Sequence, residues 1–229
     1  ELLVRHDGKE MRTFVKPKSS DGDGPYVRWV RHNEQLVEKL SGGKVGYVHV
    51  KAMDSDSFRE VFSKSLGKYR SCDALIVDTR HNHGGWLHED LAAFLSGREY
   101  IESRPRGRHI ATEPFFRWCK PSCVIMGEDN YSDGCGFPYL YKTMGIGPLV
   151  GAPVPGTKTS VWWETQVDQT LVFGIPQVTS WGLNEKRALE NLELEPDILV
   201  YNSPATEIEG RDEQIEAAVA AMLGEINKK

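Results

Sequence analysis

Four cysteines in 229 residues are too few to staple a chain of this length. Cys119 and Cys123 form a C-x3-C pair with no second pair to complete four ligands, so no zinc site is indicated. Cys72 and Cys135 stand apart from them, and all four read as ordinary buried thiols. No metal and no other cofactor is expected. Long apolar runs are missing too: none approaches the roughly 20 residues that span a membrane, and no secretory leader is recognisable. The chain has no Lys/Arg run, and its net charge of −5 argues against a nucleic-acid partner or a membrane-surface stripe. Neither the Walker phosphate-loop spacing nor G-x-G-x-x-G occurs, which removes the usual nucleotide signatures. There is no internal repeat and no low-complexity segment. Compartment stays open between the cytoplasm and a bacterial periplasm.

What is present suits one large domain with a small attachment, with 39% hydrophobic residues to build a core. Leu2–Arg5, a bend at Asp7-Gly8-Lys9, and Met11–Lys16 predict a β-hairpin, too small to stand alone. Ser19–Pro25 has linker composition. The chain opens at Glu1 in mid-pattern, as a piece of a longer polypeptide would. Helical spacing then covers Tyr26–Leu40, Asp54–Tyr69, Leu87–Leu95 and Phe137–Met144. Between these lie buried-strand runs at Val45–Val50, Asp73–Thr79, Cys123–Gly127 and Gly147–Gly151. That alternation is the rhythm of βαβ units around a mostly parallel sheet. A short β-rich region follows, with strands expected at 161–165, 170–173 and 176–180. A strand at Asp197–Val200 and an amphipathic helix at Asp212–Ile226 close the chain.

Three stretches carry chemistry. Ser132, in Asn130-Tyr131-Ser132-Asp133-Gly134, sits where a strand gives way to a helix. A hydroxyl there suits a nucleophile, because backbone N–H groups at the helix start can hold an oxyanion. A serine in that place is also the ordinary N-cap of a helix. The loop Asp78-Thr79-Arg80-His81-Asn82-His83-Gly84-Gly85-Trp86 allows close backbone approach to a bound carbonyl, or is a plain tight turn. Its histidines, with His88, read as solvated loop residues rather than metal ligands. The N–H groups of Gly85 and Asp133 are the natural pair of oxyanion donors. The third stretch, Leu189–Asp197, is acidic and holds Glu190; a solvated negative loop is its simplest reading.

These blocks resemble the carboxy-terminal catalytic subdomain of the tail-specific (C-terminal processing) serine peptidases, in their tricorn-protease-like branch. The matching residues are Gly42–Val50, Leu75–Gly85, Asn130–Gly134, Gly145–Gly151, Glu190-Asn191 and Pro196-Asp197, in order over residues 26–226. The resemblance implies an α/β, crotonase-like (ClpP/crotonase) fold with a mostly parallel sheet and flanking helices. It implies that residues 1–25 are the end of a PDZ-like β domain with its linker, and 26–229 the nucleophile-bearing subdomain. It implies Ser132 as nucleophile, Gly85 and Asp133 as oxyanion donors, and Glu190 as the carboxylate of a catalytic tetrad. The base of that tetrad is a histidine preceded by serine, and no Ser-His occurs here. It is therefore expected upstream in the same polypeptide, leaving this chain alone almost inert.

The family's other branch uses a lysine base; Thr157 occupies that place and Lys158 stands one residue on, as the alternative base. An acid in the pocket for a basic side chain is expected from Glu99 or Glu102, amid arginines that oppose it. The implied substrate is a peptide or unfolded protein segment, and a homo-oligomer is compatible with the pattern. The rival reading keeps the fold for peptide binding without catalysis, with Trp162-Trp163 and Phe115-Phe116 as contact surface. Acyl-CoA chemistry on the same scaffold is a further rival, and would not need Ser132.

Overall fold

The structure, a computed structural model, describes residues 1–16 and 24–228. It falls into two compact units, Glu1–His32 and Asn33–Lys229. In the smaller, β1 (Leu2–His6) pairs antiparallel with β2 (Lys9–Thr13). Asp7 and Gly8 turn the chain with φ of 50° and 74°, the doubly left-handed bend that Asp-Gly favours. Of the expected linker Ser19–Pro25, residues 19–23 lie outside the described residues, and Gly24 and Pro25 already belong to α1 (Gly24–Ser41).

The larger unit follows the expected alternation. In order come β3 (Val45–His49), α2 (Ser55–Leu66), β4 (Ala74–Asp78) and α3 (His88–Leu95). A side ribbon of β5 (Ile101–Ser103) and β6 (Ala111–Glu113) precedes β7 (Ser122–Met126), α4 (Asp133–Thr143) and β8 (Leu149–Gly151). Next are β9 (Ser160–Thr165), β10 (Val172–Val178), β11 (Trp181–Gly182) and β12 (Arg187–Ala188). Last come β13 (Ile198–Leu199), α5 (Pro204–Ile208) and α6 (Glu213–Ile226). Five strands make one parallel sheet in the order β13-β8-β7-β4-β3.

Such strands are buried on both faces, which is why β4 reads as unbroken Ala-Leu-Ile-Val. Val48, Val77 and Val124 lie side by side in the register and pack with Val61 of α2, Leu91 and Phe94 of α3, and Phe137 and Tyr141 of α4. The alternate residues Tyr47, Ile76 and Cys123 belong to the opposite face, which meets α6 with its buried Ile215, Ala218, Val219 and Met222. Because every strand runs the same way, the loops after β4 and β7 emerge at one edge. That edge carries the site.

Two of the expected elements differ in extent, and each accommodates a proline. The helix expected from Phe137 starts at Asp133, with Pro138 inside it. Pro138 has no N–H for the carbonyl of Gly134, and Asn130 Nδ2 donates to that carbonyl instead, at 3.0 Å. The strands expected at 170–173 and 176–180 are the single β10, running through Pro176. Among the described residues β10 pairs with β9 alone, so one side of it needs no N–H, and the register shifts between Pro176 and Val178. The β5–β6 ribbon, the β11–β12 pair and α5 were not anticipated.

Candidate active site

Ser132 is the residue before α4, with φ 54° and ψ −123°. Positive φ costs an L-residue on the order of 1–3 kcal/mol and persists only where surroundings enforce it. It is the N-cap by position, but its side chain makes no capping hydrogen bond, so the cap reading does not use the hydroxyl. The side chain is half-buried. Its own N–H donates to Thr157 Oγ1 at 3.2 Å.

The enforcement comes from the loop after β4. Asn82 is fully buried and ties three segments together: Nδ2 donates to Val50 O at 2.8 Å, Oδ1 accepts from Gly84 N–H at 2.9 Å, and its carbonyl accepts from Tyr131 N–H at 2.9 Å. Gly84 then passes directly beneath the serine. With φ +95°, a Cβ there would stand 2.6 Å from Ser132 Cβ and 3.1 Å from Asp133 N. Gly85, at φ +141°, is pressed against Met53, whose carbonyl oxygen a Cβ would meet at 2.1 Å. Met53 N–H bonds to Gly84 O and Trp86 N–H to Met53 O, leaving the Gly85 N–H between them unused. Among the described residues, neither Gly85 N–H nor Asp133 N–H has an acceptor within the chain. Two unpaired amides thus stand on the two loops that cross at Ser132.

Asp133 fastens the crossing from its other end. Its buried carboxylate accepts from the N–H groups of Leu87 and His88 at 2.7 and 3.1 Å, satisfying the start of α3 from α4. Beneath lies an ionic knot. Arg80 binds Asp78 through Nη2 at 2.6 Å and Asp212, the N-cap of α6, through Nη1 at 2.7 Å. Tyr47 donates to Asp78 Oδ2 at 2.8 Å, and His49 Nε2 lies 2.8 Å from the Arg80 carbonyl. Burial works against the charge on Asp78, but Arg80 outweighs it and holds the carboxyl below its usual range.

Glu190 reaches the same loop as Thr157. Its Oε2 accepts from Lys158 N–H at 2.8 Å and Thr159 N–H at 2.7 Å. Burial alone would raise its pKa; the hydrogen bonds from Thr159 and Lys158 bring it below the carboxylate norm. Lys158 Nζ lies 3.9 Å from the centroid of Tyr139, seven residues beyond Ser132 and so about 10 Å along α4. Burial lowers its pKa to about 8. Glu99 is exposed, and Glu102 is engaged by Arg104 at 2.5 Å and His109 at 2.6 Å. A cavity of about 580 Å³ opens at the far ends of α3 and α4, between Ala92, Ala93, Leu140 and Met144, with Arg98 and Arg117 on its wall; its carboxylate is Glu89.

His81 pairs with Asp129 at 2.5 Å and His88 with Asp133 at 2.5 Å, so neither is a bare solvated loop histidine. Among the described residues, no three His, Cys, Asp or Glu side chains group to hold a metal. Sequence reasoning passed over Asn82, Thr157 and His88 as working parts of the site. In the sequence Thr157 stands only as the residue in the place of a lysine base and His88 only among the loop histidines, while Asn82 carries no signal beyond that of a polar residue before a Gly-Gly turn.

Residues 44–200 match the sequence model of Peptidase family S41. The Tricorn protease of Thermoplasma acidophilum is 26% identical over 201 residues, which are 88% of this chain and 19% of that protein. Tricorn protease homolog 1 of Streptomyces coelicolor is 28% identical over 222 residues, 96% of this chain and 21% of its own length. The chain therefore spans about a fifth of the curated relatives it matches. A crystal structure of the tricorn protease superposes with a TM-score of 0.83 at 24% identity, covering 96% of this chain and 21% of the other. With that family model covering more than half of its length, and the same α/β fold in a solved relative, the chain belongs to peptidase family S41.

Proposed function

We propose that this chain is the nucleophile-bearing part of a serine endopeptidase that cleaves peptides or unfolded protein segments through an acyl-enzyme. Ser132 Oγ attacks the scissile carbonyl. The N–H groups of Gly85 and Asp133 receive the oxyanion, and Glu190 holds the 157–159 loop beside the nucleophile. The observation that carries this reading is Ser132 itself: positive φ, a hydroxyl not used as a cap, and two unpaired amides at the crossing beside it. The proton is taken by a histidine from an upstream part of the same polypeptide, so this chain alone is nearly inactive. Lys158, the alternative base, faces Tyr139 in the arrangement described, which favours the upstream histidine.

On the same reading the fold is crotonase-like, residues 1–25 close a PDZ-like domain, and Glu99 or Glu102 favours a basic substrate side chain. The non-catalytic alternative draws on exposed aromatics: Trp162, Trp163 and Phe116 are 58%, 64% and 70% exposed. Hydrolysis of a panel of short peptides by the full-length polypeptide separates the two. Cleavage lost in Ser132→Ala supports the peptidase; binding without cleavage by the wild type supports the alternative, and cleavage retained in Ser132→Ala sinks the nucleophile assignment.

A further inference from the structure

Asp133 combines two parts of opposite electrostatic sense. Its backbone N–H is one of the unpaired donors at the crossing, while its side chain is a buried carboxylate. A negative charge developing at that amide is repelled by the carboxylate a few ångströms away unless a positive group cancels it. His88 is in place to cancel it. Its Nδ1 lies 2.5 Å from Asp133 Oδ1, an ion pair by distance that is off hydrogen-bond alignment. Its ring meets Trp86, the residue after Gly85, edge-on with centroids 5.6 Å apart.

We propose that His88 is a positioning residue of the oxyanion site: protonated, it neutralises the Asp133 carboxylate and ties the nucleophile turn to the loop that carries Gly85. This rests on the acyl-enzyme reading of Ser132. The ionisable groups acting on the ring are Asp133 from α4 and Glu89 and Asp90 from α3 itself. Contact with Asp133 raises the His88 pKa against the opposing effect of burial, and the other two carboxylates add to the rise. A histidine whose folded pKa is raised keeps its proton, and its contribution, at low pH, and loses both as pH climbs through the folded value. Turnover should therefore fall on the alkaline side as the Asp133 charge is uncovered.

The test compares pH profiles of peptide hydrolysis by the full-length polypeptide in four forms: wild type, His88→Asn, His88→Asn with Asp133→Asn, and Ser132→Ala. The His88 ring is titrated by NMR in the 229-residue chain. Asn at position 88 keeps a donor without the charge, and Asn at 133 keeps an acceptor for the α3 amides. We expect His88→Asn to lower kcat on the order of tenfold to a hundredfold with KM little changed, as for one uncompensated nearby charge. It should also lose the alkaline limb that tracks the His88 titration. Adding Asp133→Asn should recover most of kcat, a charge rescue that a merely structural role does not give. Unchanged kcat and profile in His88→Asn, or a double variant no better than the single, overturns the proposal while an inactive Ser132→Ala leaves the peptidase reading standing. An active Ser132→Ala overturns both. Should His88→Asn fail to fold, an NMR pKa at or below about 6.5, the free histidine value, overturns the proposal, and a higher one supports it.

Discussion

Replacing Asn82 by alanine removes the side chain that holds the crossing together. Two hydrogen bonds are lost, to Val50 O at 2.8 Å and from Gly84 N–H at 2.9 Å, at a residue with no solvent exposure. A buried polar group left without its partner costs about 1–3 kcal/mol. Two such groups, with some relief from water entering the space, give an expected loss of about 2–5 kcal/mol. In a chain of this size, 1 kcal/mol moves Tm by about 2–4 °C, so a drop of roughly 4–20 °C is expected. Urea unfolding followed by circular dichroism measures the loss, and the slope with denaturant should stay near wild type, since the surface exposed on unfolding is unchanged. The backbone bond from Tyr131 N–H to Asn82 O survives the substitution, so the sheet should form as before. A stability within about 0.5 kcal/mol of wild type, the scatter of ordinary surface substitutions, would show that the loops meet for some other reason.

Arg80→Met leaves Asp78, fully buried, and Asp212 without their cation, and should destabilise by about 3–5 kcal/mol near neutral pH. In the wild type Asp78 has a depressed pKa, so its stabilisation is present above the unfolded carboxyl value and lost as pH falls. Without the Arg80 guanidinium, only the Tyr47 hydroxyl, the position-80 N–H and His49 oppose burial, burial outweighs them and the sign reverses: thermal melts should show the variant's deficit shrinking on acidification. Lys158 has its pKa lowered to about 8 by burial, so the unfolded chain binds the extra proton between there and the ordinary lysine value, and stability should rise with pH across that window. Lys158→Met should flatten that rise in pH-dependent urea titrations. Ser132→Gly should stabilise the chain by about 1 kcal/mol while abolishing turnover, because glycine takes a φ of 54° without strain; a destabilised glycine variant would argue against strain at the turn.

Much of this site was legible in one dimension. The strand-then-helix rhythm located Ser132 at a chain reversal, and Gly84-Gly85 at another, because period and punctuation are local properties. The contacts that make a site of these reversals are not local. Asn82 meets Tyr131, Thr157 meets Ser132, and the Asp133 carboxylate meets Leu87 and His88, each across 25 residues or more. Nothing in the spelling of Asn82 or Thr157 distinguishes them from polar loop residues. Asp133 was picked out for its backbone amide, while the use of its side chain became visible only with α3 and α4 side by side. The early start of α4 was hidden for a related reason: Pro138 sits inside the helix, and Asn130, eight positions earlier, serves the carbonyl it leaves free.

The most direct measurement is mass spectrometry of the full-length polypeptide after reaction with a fluorophosphonate, which phosphonylates an activated serine far faster than an ordinary one. A single adduct on Ser132, absent from the Ser132→Ala variant and suppressed by a competing peptide substrate, is the result expected. Cleavage of peptides with Ser132 unlabelled, or an adduct on another serine that tracks loss of activity, would contradict a nucleophile at this turn.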